Sequence, residues 1–251
     1  MIRLIPIASG SSGNCMLAEL DGKRILIDIG VSYKALCLAL RENGLTPADL
    51  DAVLITHSHS DHVKGLPVTQ KHLSCPLFMS DGTSRALACD EAEILPYDRK
   101  AELLPGIRVT AFRTSHDCMG SVGYLLESEQ QRLGYATDLG VLTEEIRQLL
   151  AGADVIVLES NHDEEMLRTG PYPYPLKRRI LSDSGHLSNR ACCEGLRYFM
   201  LNGTRHFLLA HLSKENNRPE IALGLARETI AGSDAFVDVL PVSGGNIFCL
   251  E

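Results

Sequence analysis

Positive charge is in short supply. The 251 residues carry 24 Lys and Arg against 32 Asp and Glu, a formal net charge of −8. Proteins that grip nucleic acid over a long footprint do so with a basic surplus. That mode is disfavoured here, whereas an enzyme acting on one phosphodiester through a local site is not. Cysteine pairing signals are also missing. Cys15, Cys37, Cys75, Cys89, Cys118, Cys192, Cys193 and Cys249 include no CxxC pair, and several lie in apolar stretches such as KALCLAL and IFCL. They read as buried free thiols in a reducing cytosol. No apolar run approaches the roughly 20 residues of a membrane span, and the opening MIRLIPIASG lacks the long apolar core of a secretory signal. The expectation is a soluble, cytoplasmic protein. Tryptophan is absent and aromatics reach only 5%, beside 21 glycines, which suits an α/β chain with many tight turns. There is no low-complexity tract and no repeat at a solenoid period, so one domain is expected over residues 1–251.

What is present is an ordinary globular composition, 45% hydrophobic and 22% charged, enough to bury a full core. Short apolar runs alternate with turns. IRLIPIA (2–8), NCMLAEL (14–20) and KRILIDI (23–29) predict three strands, joined by SGSSGN (9–14) and by DG (21–22), a two-residue hairpin signal. A helix is predicted over 31–44, stopping at Gly44. DAVLIT, PLFMS and IRVTAF predict further strands, with a short helix near TSRALAC. SVGYLLES and QRLGYAT (121–137) read as a hairpin. Thr143 caps a predicted helix with acidic residues in its first turn, and DVIVLES (154–160) is a strongly apolar strand. Helices are predicted over 187–203, with Ser188 as its cap, and over 218–230, with Pro219 at its start. HFLLAHL (206–212), AFVDVLPV and NIFCLE predict the last strands, the final two set around SGG (243–245). HDEEMLRTGPYPYPLKRR (162–179) holds three prolines in five residues and reads as an ordered turn.

THSHSDH, residues 56–62, crowds three histidines and an aspartate behind the apolar run DAVLI. His57 and His59 are two apart and point the same way in extended backbone. The chain then turns, so Asp61 and His62 can face a second point. Imidazole nitrogen and carboxylate oxygen are ligands that zinc, iron and manganese accept, and such an array can serve two cations. One motif cannot close two sites, so other strand ends must contribute. His116 follows IRVTAFRTS, Asp138 follows QRLGYAT, and His211 lies in HFLLAHL. Each alone would be a satisfied core or surface residue. Together, at the ends of three apolar runs, they read as the remaining ligands.

These residues match the HxHxDH signature of the metallo-β-lactamase superfamily, which the chain resembles throughout. SGSSGN (9–14), ESNHD (159–163), PYPLKRRILSDSGHLSN (173–189) and HLSKENN (211–217) resemble its YycJ/WalJ subgroup. The resemblance implies an αββα sandwich with a dinuclear metal site at one edge. It implies that His57, His59 and His116 hold one divalent ion, that Asp61, His62 and His211 hold another, and that Asp138 bridges them. The ions would be manganese, zinc or iron. A water shared by them would ionise near neutrality and attack as hydroxide. Asp61 would help orient it. His186, in SDSGHLSN, resembles a histidine of the phosphodiesterase branches and is the candidate proton donor to the leaving oxygen. Glu159 would hold His186 or a ligand in orientation. Ser11, Ser12 and Asn14 of SGSSGN are candidate substrate contacts, as are Lys177, Arg178 and Arg190, which with Arg179 make the nearest basic cluster to His186.

The small members of this kind are assigned 5′→3′ exonuclease activity on DNA with a link to mismatch repair. Only 26 residues separate Glu159 from His186, too few for the inserted domain of the β-CASP nucleases, and no protruding arm for tRNA is evident. The expected partner is therefore a single-stranded DNA end or a small phosphodiester. A small-molecule phosphodiesterase, thioesterase or lactonase is the competing enzymatic reading, favoured by the acidic balance. A regulatory protein with a structural metal site is the non-catalytic one, disfavoured because structural sites are usually closed and four-coordinate.

Overall fold

The computed structural model describes residues 1–244 and 247–250. Apolar strands build two seven-stranded sheets. The first is laid down as β1 (Ile2–Ala8), β2 (Cys15–Leu20), β3 (Lys23–Ile27), β4 (Ala52–Leu54), β5 (Leu77–Met79) and β6 (Glu93–Ile94), side by side in chain order. The second follows as β7 (Lys100–Leu104), β8 (Ile107–Arg113), β9 (Val122–Glu127), β10 (Arg132–Ala136), β11 (Val155–Glu159), β12 (His206–Ala210) and β13 (Phe236–Val239). The chain then returns as β14 (Phe248–Leu250) to pair with β1. Each sheet is half meander and half parallel. β1 to β3 pair antiparallel and β3 to β6 parallel. β7 to β10 pair antiparallel and β10 to β13 parallel.

The helices are α1 (Tyr33–Glu42), α2 (Ser60–Val63), α3 (Leu66–Thr69), α4 (Asp81–Leu87), α5 (Glu144–Leu150), α6 (Glu164–Thr169), α7 (Tyr174–Ile180), α8 (Asn189–Leu201) and α9 (Pro219–Ile230). Three apolar layers place them. Ile25, Ile27, Leu54 and Phe78 meet Val109, Tyr124, Val157 and Leu208 between the sheets. Leu36 and Leu40 of α1 cover Leu26 and Val53 on the outer face of the first sheet. Ile146, Leu196, Phe199 and Ala226, from α5, α8 and α9, cover Ile156 and Leu158 on the outer face of the second. Central parallel strands covered on both faces need continuous apolar runs, and every residue of β11 is buried. This is the αββα sandwich that the resemblance implied.

The predicted caps sit at the helix starts. Thr143 Oγ1 accepts from Ile146 N–H at 3.4 Å, Ser188 Oγ accepts from Ala191 N–H at 3.2 Å, and Pro219 opens α9. Several expectations need correction. The stretch 162–179 is not a turn throughout: it folds into α6 and α7, with Asp163 capping the first. β12 ends at Ala210, so His211 lies beyond the strand that was to contain it. Strands β6 and β7 went unpredicted, the first because it has two residues and the second because KAELL alternates weakly. Of the final predicted segments, Gly245, Asn246 and Glu251 lie outside the described residues.

Candidate metal centre

The carboxyl ends of six strands converge on one edge of the sandwich. In open α/β sheets this is where ligands bind, because the side chains there are released from the ladder while their backbone stays fixed. β4 delivers Thr56 and His57, and His59 then occupies the cap position of α2, which carries Asp61 and His62. Asp28 follows β3, His116 the loop after β8, Asp138 the end of β10, and His211 the end of β12, while Glu159 closes β11. Asp28, Asp138 and His211 have φ of +62°, +57° and +58°. Left-handed backbone is uncommon outside glycine and is held only where the surroundings fix it, often at functional sites.

The structure brings the seven predicted ligands into one cluster, in overlapping groups that also take in Glu159 and His186. One ring nitrogen each from His57, His59 and His116 lie within 4.8 Å of one another, as do ligand atoms of Asp61, His62 and His211. His59 Nδ1 stands 3.1 Å from both His57 Nε2 and His116 Nε2. Asp138 reaches both groups, with Oδ2 3.2 Å from His62 Nε2 and Oδ1 3.8 Å from His116 Nε2.

Buried carboxylates and a carbonyl orient these rings. Asp28 Oδ2 accepts from His62 Nδ1 at 2.7 Å, and Oδ1 accepts from the Thr56 N–H at 2.8 Å. Glu159 Oε1 accepts from His186 Nδ1 at 2.8 Å and from His211 Nδ1 at 2.7 Å, while Oε2 takes the N–H groups of Leu139 and Leu187 at 3.0 and 3.1 Å. Gly185 O accepts from His116 Nδ1 at 3.1 Å. A ring that donates through Nδ1 keeps Nε2 for a ligand or a reacting atom. Glu159 was expected to hold His186 or a ligand, and its oxygen contacts both His186 and His211.

Divalent cations fit this set of residues. The donors are imidazole nitrogen and carboxylate oxygen. His211 Nε2 is buried with no hydrogen-bond partner, and so is Asp138 Oδ2 despite its nearness to His62. Such orphaned atoms are costly in a protein interior unless something binds them. The charges of the metal-free cluster are mutually supporting. Burial would raise the Glu159 carboxyl, but His186 and His211 hold it down at about 2. Burial likewise opposes the charge on Asp61, yet His211 and His62 hold it at about 2. Burial resists a proton on His62, but Asp138 and Asp28 push it up to about 10. His211 and His186 are raised against burial by Asp138 and Glu159. Burial, and then neighbouring imidazoles, lower His57 and His59.

The predicted substrate contacts divide. Asn14 lies at the centre: its Oδ1 accepts from Gly10 N–H at 2.9 Å and its Nδ2 stands 2.9 Å from His62 Nε2 and 3.3 Å from Asp61 Oδ2. Ser11 and Ser12 are exposed on the neighbouring turn, where Lys64 Nζ donates to Ser12 O. Lys177 is turned away from the site, donating to the carbonyls of Arg168 and Gly170 at 2.8 Å each. Arg178 lies 6.0 Å over the Tyr174 ring, and Arg190 is exposed in the first turn of α8. Lys177 is thus engaged within its own segment, while Arg178 and Arg190 are exposed. Sequence reasoning missed Asp28, Lys64 and Asp117. Asp28 had a usable signal, a lone charge inside the apolar run KRILIDI. The other two had none, since a single lysine or aspartate in a polar loop is common.

Comparison with known proteins places the chain. The family model described as "Beta-lactamase superfamily domain" matches residues 23–212. Exodeoxyribonuclease YycJ of Bacillus anthracis is 37% identical over 223 residues, covering 86% of this chain and 84% of that protein. Exodeoxyribonuclease WalJ of Streptococcus pneumoniae is 35% identical over 241 residues, covering 93% and 90%. The crystal structure of the metallo-beta-lactamase fold protein YhfI from Bacillus subtilis superposes with a TM-score of 0.74 at 15% identity, covering 98% of each chain.

Proposed function

The chain belongs to the beta-lactamase superfamily, within its YycJ/WalJ-like hydrolases, and we propose that it is a metal-dependent exodeoxyribonuclease acting from the 5′ end of single-stranded DNA, with a part in mismatch repair. The observation that carries the nuclease reading is the likeness, over most of both chains, to proteins named exodeoxyribonucleases. The site supports it chemically. His57, His59 and His116 would hold one ion, Asp61, His62 and His211 a second, and Asp138 would serve both. Two divalent ions, whether manganese, zinc or iron, supply Lewis-acid activation of water and of the phosphoryl oxygen.

The remaining work falls to side chains. Asp28 and Glu159 fix the ring tautomers of His62, His211 and His186. Asp61 adds a carboxylate to orient the attacking water. His186 is the proton donor to the leaving oxygen: burial opposes a proton on its ring, but the Glu159 carboxylate bonded to Nδ1 raises it above the ordinary histidine value, and its side chain is 19% exposed. Between Glu159 and His186 stand only α6 and α7, an arrangement that suits a thin single strand better than a structured RNA. Eight free cysteines accord with work in a reducing compartment such as the cytoplasm.

The test is a gel time course. Manganese-loaded protein is given a 5′-phosphorylated single-stranded DNA labelled at its 3′ end, beside an Asp61→Ala control. The expected result is a ladder of shortening labelled products that the control lacks. Intact DNA together with turnover of bis(p-nitrophenyl) phosphate would replace this reading with the second one, a small phosphodiester, which the net charge of −8 favours.

A further inference from the structure

Arg179, the last of the three basic residues at the end of α7, behaves unlike the other two. Its guanidinium crosses to the loop after β8, where Nη2 donates to Asp117 Oδ1 at 2.9 Å and Nε donates to Oδ2. Asp117 follows His116 directly, and its Oδ1 lies 3.8 Å from His116 Nε2, the nitrogen that faces the ligand cluster. The same segment makes two more contacts with the site, through Gly185 O to His116 and His186 Nδ1 to Glu159. The pair therefore stands on the rim of the metal cluster rather than on remote surface. Both partners are open to solvent, at 51% and 31% side-chain exposure.

An exposed ion pair contributes little to stability, so its stability does not explain this placement. Its position does have a consequence for an anionic substrate. Asp117 alone would put a negative charge where a phosphodiester must enter. Arg179 cancels that charge. Asp117 uses Nε and one Nη2 proton, which leaves the Nη1 donors and the second Nη2 proton free, in a fork whose direction the carboxylate fixes. A planar fork suits phosphate oxygens. Asp61 also lies close enough for its charge to act on Arg179, after the dominant hydrogen bonds from Asp117.

We propose that Arg179, aimed by Asp117, is the residue that grips a phosphate of the substrate at the mouth of the metal cluster. The inference rests on the phosphodiester reading above. It separates two roles, a hydrogen-bonding grip and a mere counter-ion to Asp117, and the experiment does so too. Manganese-loaded wild type, Arg179→Ala, Arg179→Lys and the double variant Arg179→Ala/Asp117→Ala are titrated against a fluorescein-labelled phosphorothioate deoxyoligonucleotide, and Kd is read by anisotropy at several salt concentrations. Turnover of bis(p-nitrophenyl) phosphate and of neutral p-nitrophenyl acetate is followed in parallel, with thermal midpoints as the folding control.

Arg179→Ala is expected to weaken binding about tenfold and to lower the log–log salt slope by about 0.7. It should raise KM for the anionic diester by a larger factor than KM for the neutral ester. Arg179→Lys should fall between, keeping the charge without the fork. The double variant restores the net charge of the rim but not the donors, so it should stay well below wild type. Recovery of wild-type affinity in the double variant would overturn the grip and leave a counter-ion. A change below twofold in Arg179→Ala, with wild type active on the diester, would overturn the inference alone. If wild type binds no oligonucleotide yet cleaves the diester, the nucleic-acid reading fails and a KM rise in Arg179→Ala still supports the grip. Turnover of the neutral ester only would overturn both.

Discussion

Glu159 accepts four hydrogen bonds with two oxygens, and no neutral side chain can do the same. An amide has one acceptor, so Glu159→Gln turns an N–H group towards donors and frees two rings at once. His186 and His211 share Oε1, but on the proposed assignment only His211 is a metal ligand. The two histidines can therefore be told apart. Glu159→Gln should lower both bound metal and turnover, by roughly 10–100-fold. His186→Ala should leave the metal content unchanged while turnover on DNA falls by about 10²–10⁴. With bis(p-nitrophenyl) phosphate, whose leaving group needs no proton, the His186→Ala deficit should shrink. Metal analysis beside kcat on the two substrates makes the check. An equal deficit on both substrates would remove His186 from the role of proton donor.

Strand ends and the loops behind them set the precision of the cluster, and this is also where legibility in the sequence stops. Each of the seven candidate ligands could be found because a polar ligand type followed an apolar run, a pattern that packing alone does not explain. Long elements could be read for the same reason: β1, α8 and α9 fall within a residue or two of their predicted bounds. Asp28 escaped although it stands between Ile27 and Ile29, because one acid in an apolar run has no companion ligand type beside it. The left-handed turns at Asp138 and His211 escaped because they are imposed by tertiary fit, and Asp and His, though enriched in such backbone, occur far more often outside it. The loop at Gly30 shows that fit directly. An added Cβ there would lie 1.7 Å from Asp61 O and 2.4 Å from Asn14 N, backbone atoms that cannot swing aside. Gly30→Ala must therefore push the α2 loop away from Asn14. It should destabilise the protein by about 3 kcal/mol and lower metal content in whatever fraction folds. Denaturant melts with metal analysis would show it; wild-type values for both would mean the loop is free to move.

At the scale of the whole molecule, two charge populations meet at one edge, and their protonation ties stability to metal and to pH. In the metal-free protein, Asp61 and Glu159 are held at about 2. Their stabilisation is complete above the ordinary carboxylate range near 4 and is lost as pH falls towards 2. His62, pushed up to about 10, acts in the opposite sense. Its stabilisation is complete below the ordinary histidine value near 6.5 and is lost as pH rises through about 10. The metal-free fold should therefore be most stable in the weakly acidic range between these limits. Metal binding reverses the upper limb, because His62 and His211 must give up protons to become ligands. Affinity then rises with pH, and calorimetry in buffers of different ionisation enthalpy should detect proton release near neutrality. Ion at 100 times its Kd adds about 2.7 kcal/mol, which for a chain of this size is a gain of roughly 5–10 °C in Tm. The gap between metal-loaded and chelated protein should widen from about pH 5 to about pH 8, as the loaded form gains and the empty one declines. A gap that stays constant over that interval would mean that His62 and His211 are not the groups displaced, and would remove them from the ligand set.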